Sequence, residues 1–324
     1  MARQPGTGAG RSGSVPRPVR APRPVIAPPP RGTGNVLIRM GRDLRALASP
    51  RGVRGAALES VWVAAHLAIY PLGVVRERQR NSERYGFEDL RPRQRSLIVR
   101  DLHAAGTPIL LVHGWVDNRA IFTVLNRRLR SHGFHRVVTL NYSPVTNDIR
   151  AAARGLAVEI EALVARTGYE RIHVVGHSLG GLIARYYVQC LGGDERVHTL
   201  VTLGTPHHGT VGAHFIPTQL GRQLRPGSDL YAEMEEPAPG NRTRFVAYWS
   251  DIDQIIVPHD NARLMHPDLT TRNVLVHGVG HMSLPIAGRV ANEISTLLSE
   301  LDADGSTISA GVTPLRANAL DDSV

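Results

Sequence analysis

Ser178 lies in the stretch RIHVVGHSLGGLIARYY, residues 171–187, where Gly176 and Gly180 flank it in a G-x-S-x-G pattern. The pattern by itself is weak evidence for a nucleophile, because glycine-rich chains produce such patterns by composition. Its value depends on the secondary structure predicted around it. RIHVV is typical of a strand and LIARYYVQC of a helix, which places Ser178 at a strand-to-helix turn. Glycines relieve the crowding at this strained turn, and Gly181 allows the helix to pack closely on the strand. We therefore predict that Ser178 is a nucleophile; the alternative is a capping serine in an ordinary glycine-rich turn.

A serine hydroxyl is a poor nucleophile without a general base. At this kind of turn the partners follow along the chain as an acid and then a histidine, each after a later strand. His281 stands beyond the last predicted strand, in NVLVHGVGHMSL, on a loop that can reach over the sheet. We predict it to be the base, whereas His277, nearer the strand end, is expected to make a structural hydrogen bond. His207 and His208 precede the expected acid and are interpreted as rim residues.

Three carboxylates follow the predicted strand FVAYWS, in the loop DIDQIIVPHDNAR. The acid must accept the second N–H of the imidazole and stabilise the imidazolium that forms. Asp253 directly precedes the apolar residues IIVP, which can shield it, so we predict Asp253 as the acid. Asp251 points the opposite way in an extended segment and is the second candidate. Asp260 is interpreted as a turn or cap.

The oxyanion of a tetrahedral intermediate needs two backbone donors. One is the N–H of Leu179, directly after the nucleophile. The other is expected in the loop after the first strand, LLVHGWVDN, where His113 and Gly114 permit a tight turn and Trp115 offers its N–H. The Trp115 indole is then expected to form part of an acyl-pocket wall. The alternative for HGW is a plain strand-to-helix turn.

Short apolar runs that alternate with helical patterns must position these groups. The alternation predicts an α/β fold, with a mostly parallel sheet covered by helices on both faces. In such sheets, sites gather at the carboxyl ends of the strands, where all the residues named above lie. Asn147 or Asp148 is expected to cap a helix over 149–167. The predicted strands cover 107–114, 136–142, 171–178, 197–206, 245–250 and 273–278, and a closing helix follows from 286.

The motifs LLVHGW, VVGHSLGG, LGTPHHGT, SDIDQIIVP and HGVGHMSL, in that order, resemble bacterial triacylglycerol lipases of the α/β-hydrolase superfamily. The resemblance covers about residues 105–300. It implies Ser178 as nucleophile, Asp253 as acid and His281 as base, with Trp115 and Leu179 as oxyanion donors. These are the positions reached from the residues themselves.

Two points depart from that resemblance or limit it. Residues 206–244 carry few strong strand or helix signals and are longer than a simple crossover needs, which is consistent with a partial lid. Some larger bacterial lipases hold a structural metal, yet no carboxylate or histidine cluster here has convincing ligand spacing. We therefore expect neither a metal nor a cofactor.

The ends of the chain differ in composition from its middle. Residues 1–54 hold eleven Arg and one Asp, which equals the formal charge of +10 of the whole chain. Rich in Pro, Gly and Arg, residues 1–55 are predicted to be a disordered tail, and 301–324 an acidic tail. Because the positive charge lies on a tail, nucleic-acid binding is not expected of the folded domain.

Residues 56–104 are predicted to form an apolar helix and a connecting segment. Three interpretations of 56–75 stay open: a helix packed on the domain, an interfacial membrane helix, and a signal anchor that exports the domain. We favour a cytoplasmic or peripheral membrane location. Cys190 is the single cysteine, which excludes an internal disulfide framework.

The sequence thus predicts a serine hydrolase that cleaves carboxylic esters through an acyl-enzyme. A small-molecule ester or lipid is the expected partner, with contact to a membrane surface as a further option. Apolar residues are expected to line an acyl groove, namely Trp115, Phe122, Leu179 and Met282. The alternatives are an acyltransferase or thioesterase on the same fold, and a non-catalytic binding module.

Overall fold

The computed structural model describes residues 105–299, apart from 116, 118 and 141–146, together with short stretches between 38 and 57. All of these belong to one compact unit. The apolar helix predicted over 56–75, apart from residue 57, and the acidic tail predicted over 301–324 lie outside the described residues.

Six strands form one sheet in the order β2-β1-β3-β4-β5-β6, and every neighbouring pair is parallel. The central strands are buried on both faces, which is why their sequences read as continuous apolar runs. The predicted parallel α/β fold is confirmed. The strands are β1 (Ile109–Val112), β2 (Val137–Leu140), β3 (Ile172–His177), β4 (Val197–Leu203), β5 (Arg244–Ser250) and β6 (Thr270–Val276).

Helices cover both faces of this sheet. Within the described catalytic region they are α1 (Thr123–Ser131), α2 (Ile149–Thr167), α3 (Leu179–Cys190), α4 (Gln219–Gln223), α5 (Asp229–Glu235) and α6 (Gly288–Ser299). Alternate strand residues enter two separate cores, as the period of a pleated strand requires. Leu110 and Val112 pack with α2 and α3, whereas Ile109 and Leu111 pack with α1 and α6.

Helix α2 has the ends and the buried face expected from its sequence. Asp148 is the N-cap, since its side chain accepts a hydrogen bond from the N–H of Arg150 at 2.9 Å. Gly168 ends the helix in the left-handed conformation. The buried side chains include Ile149, Leu156, Ile160 and Leu163, which recur at the spacing of one helix face.

Residues 206–244 are more regular than the sequence indicates. They contain a 3-10 helix, Val211–Phe215, as well as α4 and α5. These elements are one or two turns long, too short for a helical period to stand out. Their apolar side chains join the core on the α2–α3 face, namely Leu220, Leu224, Leu230, Tyr231 and Met234.

The N-terminal segment also differs from its prediction as a disordered tail up to residue 55. Helical residues occur at 38–39, 41–43 and 52–54. Arg39 bonds Asp260 through Nε at 2.8 Å, and the buried Asp43 accepts the backbone N–H of His259 at 3.0 Å. Part of the segment is therefore docked on the loop that follows β5. Within the described part of the chain, no helix is both long and apolar enough to cross a membrane.

Candidate active site

Ser178 sits at the sharp turn between β3 and α3. Its φ of 53° and ψ of −122° make it the one non-glycine residue with a positive φ in the described part of the chain. Such backbone strain costs on the order of 1–3 kcal/mol and persists only where the surroundings impose it. Here the N–H of Ser178 donates to the carbonyl of Leu203 at 2.8 Å, and Thr205 Oγ1 donates to the Ser178 carbonyl at 3.0 Å.

The glycines around Ser178 are required by close backbone approach. A Cβ on Gly176 would lie 2.4 Å from Cα of Gly181. A Cβ on Gly180 would lie 2.2 Å from the carbonyl oxygen of His113. Both distances are far below van der Waals contact, so larger residues would push the start of α3 away from the strand or from the loop after β1.

His281 and Asp253 form a buried pair on two different loops. Nδ1 of His281 donates to Oδ2 of Asp253 at 2.8 Å, and their side chains are 3% and 0% exposed. The other carboxylate oxygen accepts the N–H groups of Ile255 at 2.9 Å and Ile256 at 2.8 Å. Burial by itself raises the pKa of Asp253, but the charge and hydrogen bond of His281 and the two N–H groups outweigh burial and hold that pKa below its usual value.

This pair lies beside the Ser178 turn. A Cβ on Gly204 would lie 3.0 Å from His281 Nδ1 and 3.1 Å from Asp253 Oδ2. Gly204 follows Leu203, the residue whose carbonyl holds the Ser178 N–H. On the other side, the ring of His177 is 4.9 Å from the ring of His281, measured between centroids. The three predicted triad residues thus converge on the carboxyl ends of β3, β4 and β5.

The competing candidates have other partners. Asp251 bonds His277, Oδ2 to Nδ1, at 2.7 Å, and also accepts the N–H of Gly278 at 2.9 Å. Asp260 bonds Arg39. His277 therefore makes the structural hydrogen bond expected of it, and neither alternative acid contacts His281 in the described structure.

The loop after β1 packs directly against the nucleophile. A Cβ on Gly114 would lie 3.1 Å from Cβ of Ser178, and Nδ1 of the buried His113 donates to the Gly114 carbonyl at 2.9 Å. Trp115 follows, with its side chain 40% exposed. Leu179 is the first residue of α3, so its N–H is one of the helix-end donors that lack an intrahelical partner.

Three expectations about individual side chains are wrong. Leu179 is 2% exposed and belongs to the core with α2 and α3, so its side chain does not line a groove. Phe122 is fully buried in the core with α1 and α6, so it does not line a groove. His207 is fully buried as well, with Nε2 hydrogen-bonded to Thr202 Oγ1 at 2.9 Å, so it is not a rim residue. Burial lowers the pKa of His207 well below its usual value, and the nearby Arg185 lowers it further.

Other residues at the site were missed by sequence reasoning. His177, Thr205 and Gly204 each contact Ser178, His281 or the segments that carry them. Their positions in the sequence could have identified them, because His177 directly precedes the proposed nucleophile, and Gly204 and Thr205 begin the loop after β4. Among the described residues no group of three or more His, Cys, Asp or Glu is arranged to hold a metal ion.

Comparison with known proteins agrees with the α/β fold described above. The family profile of the alpha/beta hydrolase fold matches residues 107–225. A triacylglycerol lipase of Burkholderia plantarii is 31% identical over 128 residues, which is 37% of this chain and 35% of that protein. A triacylglycerol lipase of Pseudarthrobacter phenanthrenivorans is 32% identical over 117 residues, 34% of this chain and 36% of that protein. The chain therefore spans little more than a third of the length of these curated relatives.

Among solved structures, a mature lipase of Bacillus licheniformis superposes with a TM-score of 0.52 at 18% identity, covering 61% of this chain and 93% of that one. A lipase B of Aspergillus fumigatus gives a TM-score of 0.53 at 16% identity, covering 60% of this chain and 52% of that one. At these identities the likeness concerns the fold alone. The resemblance to α/β-hydrolases of the lipase and esterase type is confirmed.

Proposed function

We propose that this chain, which has the α/β-hydrolase fold, is a serine hydrolase that cleaves carboxylic esters with apolar acyl chains. The observation that carries the proposal is the buried hydrogen bond between His281 and Asp253, beside a strained Ser178. A carboxylate that is shielded from water and holds an imidazole next to a serine hydroxyl is the arrangement that activates serine as a nucleophile.

In the proposed reaction the Ser178 hydroxyl attacks the ester carbonyl carbon while His281 takes the hydroxyl proton. Because Nδ1 of His281 is bonded to Asp253, Nε2 is the atom that carries this proton. The carbonyl oxygen becomes an oxyanion and accepts hydrogen bonds from the backbone N–H groups of Trp115 and Leu179. The C–O bond to the alcohol then breaks, and the alcohol leaves with the proton from His281.

Water completes the cycle. His281 removes a proton from water as its oxygen attacks the acyl-enzyme, the bond to Ser178 Oγ breaks, and the serine recovers the proton. The products are a carboxylic acid and an alcohol. Asp253 stays ionised throughout, because the interactions that lower its pKa favour the carboxylate.

The substrate class follows from the residues next to the reacting groups. Trp115, which carries one proposed oxyanion donor, and Met282, which follows the base, are both apolar and at least partly exposed. The relatives named above are triacylglycerol lipases, which agrees with an ester of a fatty acid. Contact with a membrane or lipid surface forms part of the proposal.

Labelling with a fluorophosphonate probe tests the nucleophile. We expect the unchanged chain to be labelled and the Ser178→Ala variant not to be, while Ser131→Ala, a change on the far end of α1, behaves like the unchanged chain. Labelling of Ser178→Ala at the same rate would remove Ser178 from the nucleophile role.

A chain-length series of p-nitrophenyl and glycerol esters, with and without a lipid–water interface, tests the substrate. Hydrolysis that favours medium or long acyl chains supports the proposal. A preference for thioesters, or for transfer to an added alcohol over water, would assign the site to a thioesterase or acyltransferase instead.

A further inference from the structure

His177, the residue before the nucleophile, contacts the base loop directly. Its side chain is 1% exposed, and Nε2 lies 3.2 Å from the carbonyl oxygen of His281. A carbonyl oxygen only accepts, so Nε2 must carry the hydrogen and donate it. The bond joins the end of β3 to a loop 104 residues further along the chain.

The bond to His177 is one of several that hold the backbone of His281. The His281 N–H donates to Gln254 Oε1 at 3.4 Å, and the His281 carbonyl also accepts the N–H of Leu284 at 3.4 Å. The bond from His177, at 3.2 Å, is shorter than both. It is also the one of these three that comes from the segment carrying Ser178.

The other side of the His177 ring faces the loop after β1. Nδ1 of His177 lies 3.7 Å from Oδ2 of the buried Asp117, and a Cβ on Gly114 would lie 3.4 Å from the same nitrogen. One buried imidazole therefore packs between the base loop and the loop that carries the proposed oxyanion donor.

Burial supports a neutral ring. Burial lowers the pKa of His177, as does the neighbouring His281, and together they outweigh Asp117 and the hydrogen bond, which act in the opposite direction. A neutral ring with hydrogen on Nε2 is the form that can donate to the carbonyl without placing a second positive charge beside His281.

We propose that His177 is a positioning residue: its Nε2–H holds the backbone of His281 so that the imidazole of the base is aligned with Ser178. This inference rests on the proposed function, since it assumes that His281 is the base. It explains why a donor stands directly before the nucleophile. Misplacing a catalytic group by about 1 Å costs on the order of a hundredfold in rate.

Two amide substitutions test the proposal, because their side-chain N–H groups lie at different distances from the backbone. His177→Gln places an amide N–H at the depth of Nε2, whereas His177→Asn places it only at the depth of Nδ1. We expect kcat for His177→Asn to fall on the order of thirtyfold, with KM changed less than about threefold. For His177→Gln we expect kcat to recover to within about fivefold of the unchanged chain.

His177→Leu, which has no donor, should match the Asn variant in kcat while its melting temperature equals or exceeds that of the Gln variant. His277→Gln makes the same change at an exposed histidine on the loop that carries His281 and should leave kcat unchanged. If Gln and Asn variants lose kcat equally, or if activity follows melting temperature rather than reach, the positioning role is wrong. Failure of the unchanged chain to react with a fluorophosphonate would instead overturn the proposed function.

Discussion

Two Asp–His pairs join the same two loops, yet only one of them is suited to catalysis. His281 and Asp253 meet at 2.8 Å, and His277 and Asp251 meet at 2.7 Å. The first pair is 3% and 0% exposed, whereas the second is 69% and 34% exposed. Hydrogen-bond length does not separate the pairs; burial and the proximity of Ser178 do.

The difference has a physical cause. Water competes for both partners of an exposed pair and screens their charges, so such a pair contributes little to stability. In the buried pair the carboxylate retains its charge because His281 and two backbone N–H groups stabilise it. In the proposed reaction, an imidazolium that forms on His281 is therefore met by a fixed negative charge in a medium of low dielectric constant.

Removing each carboxylate charge gives the largest expected contrast. Asp253→Asn should reduce kcat/KM for a p-nitrophenyl ester by about 10⁴-fold, because an amide favours the wrong tautomer of the base. Asp251→Asn should change kcat/KM by less than about threefold. Equal losses in steady-state assays of the two variants would mean that the exposed pair also serves the reaction.

Two glycines, one beside each pair, allow the buried pair to be disturbed without changing either member and provide a matched control at the exposed pair. Gly204 has a φ of 55°, and an added Cβ would press on both His281 and Asp253. Gly278 has a φ of 70° beside the exposed pair, with no atom within 4 Å of an added Cβ. Both alanine variants carry a backbone cost of about 1 kcal/mol.

Only Gly204→Ala should also lower kcat, by one to two orders of magnitude, roughly the cost of a small misplacement of catalytic groups. Thermal melting and ester hydrolysis measured on the two variants separate the effects. The contrast fails if Gly278→Ala loses as much activity as Gly204→Ala for a similar loss of stability.

Burial without a carboxylate has the opposite consequence for a histidine. His173 on β3 is fully buried, and its ring meets that of His198 edge-on at 5.6 Å. Among the described residues, neither ring nitrogen of His173 has a hydrogen-bond partner. Burial lowers the pKa of His173 well below its usual value, and the positive charges of His198, Arg171 and Arg244 lower it further.

Near pH 6.5 the His173 side chain therefore binds a proton in the unfolded chain but stays neutral in the folded chain. As a result, the free energy of unfolding falls as the pH drops below that value. His173→Leu should reduce this slope by up to about 1.4 kcal/mol per pH unit. Urea unfolding at pH 7.5, 6.5 and 5.5 measures the slope. An unchanged slope would show that the pKa of His173 does not differ between the folded and unfolded states.

The smallest effect is expected from the exposed pair itself. A double-mutant cycle with Asp251→Asn and His277→Gln should give a coupling free energy below about 1 kcal/mol, which decreases as salt is added. A coupling of several kcal/mol in urea unfolding would contradict the view that exposure weakens this pair.

The parts that the sequence predicts are those fixed by local patterns. Apolar runs located all six strands, and Asp148 was a recognisable cap. The runs are continuous in the largely buried strands β1, β3, β4 and β5, whereas β2 and β6 are partly exposed, and the predicted run begins at residue 273, three residues after the start of β6. The motif around Ser178 predicted a strained turn because glycines mark where backbones meet. The alternation expected of an extended segment favoured Asp253 over Asp251. In the structure β5 ends at Ser250 and residues 251–252 form a turn, so that reason does not hold, although the two carboxylates do bond different histidines.

What the sequence did not predict depends on contacts between distant residues. Nothing in the residues near His207 signals that it is buried under Arg185, and Phe122 reads equally as a core or a groove residue. The docking of Arg39 and Asp43 was missed for the same reason, since charged residues in a Pro- and Arg-rich segment have no apolar period. His177 needed coordinates because its partner belongs to another loop.

The contacts of Arg39 and Asp43 set an order of assembly. Their partners Asp260 and His259 lie 221 and 216 residues later, so a ribosome synthesises almost the whole domain between them. The early segment must wait beside the growing chain until the loop after β5 emerges. Closing so long a loop is slow relative to local helix formation. Docking of the N-terminal segment on the loop after β5 is therefore among the later contacts that the domain can form during synthesis.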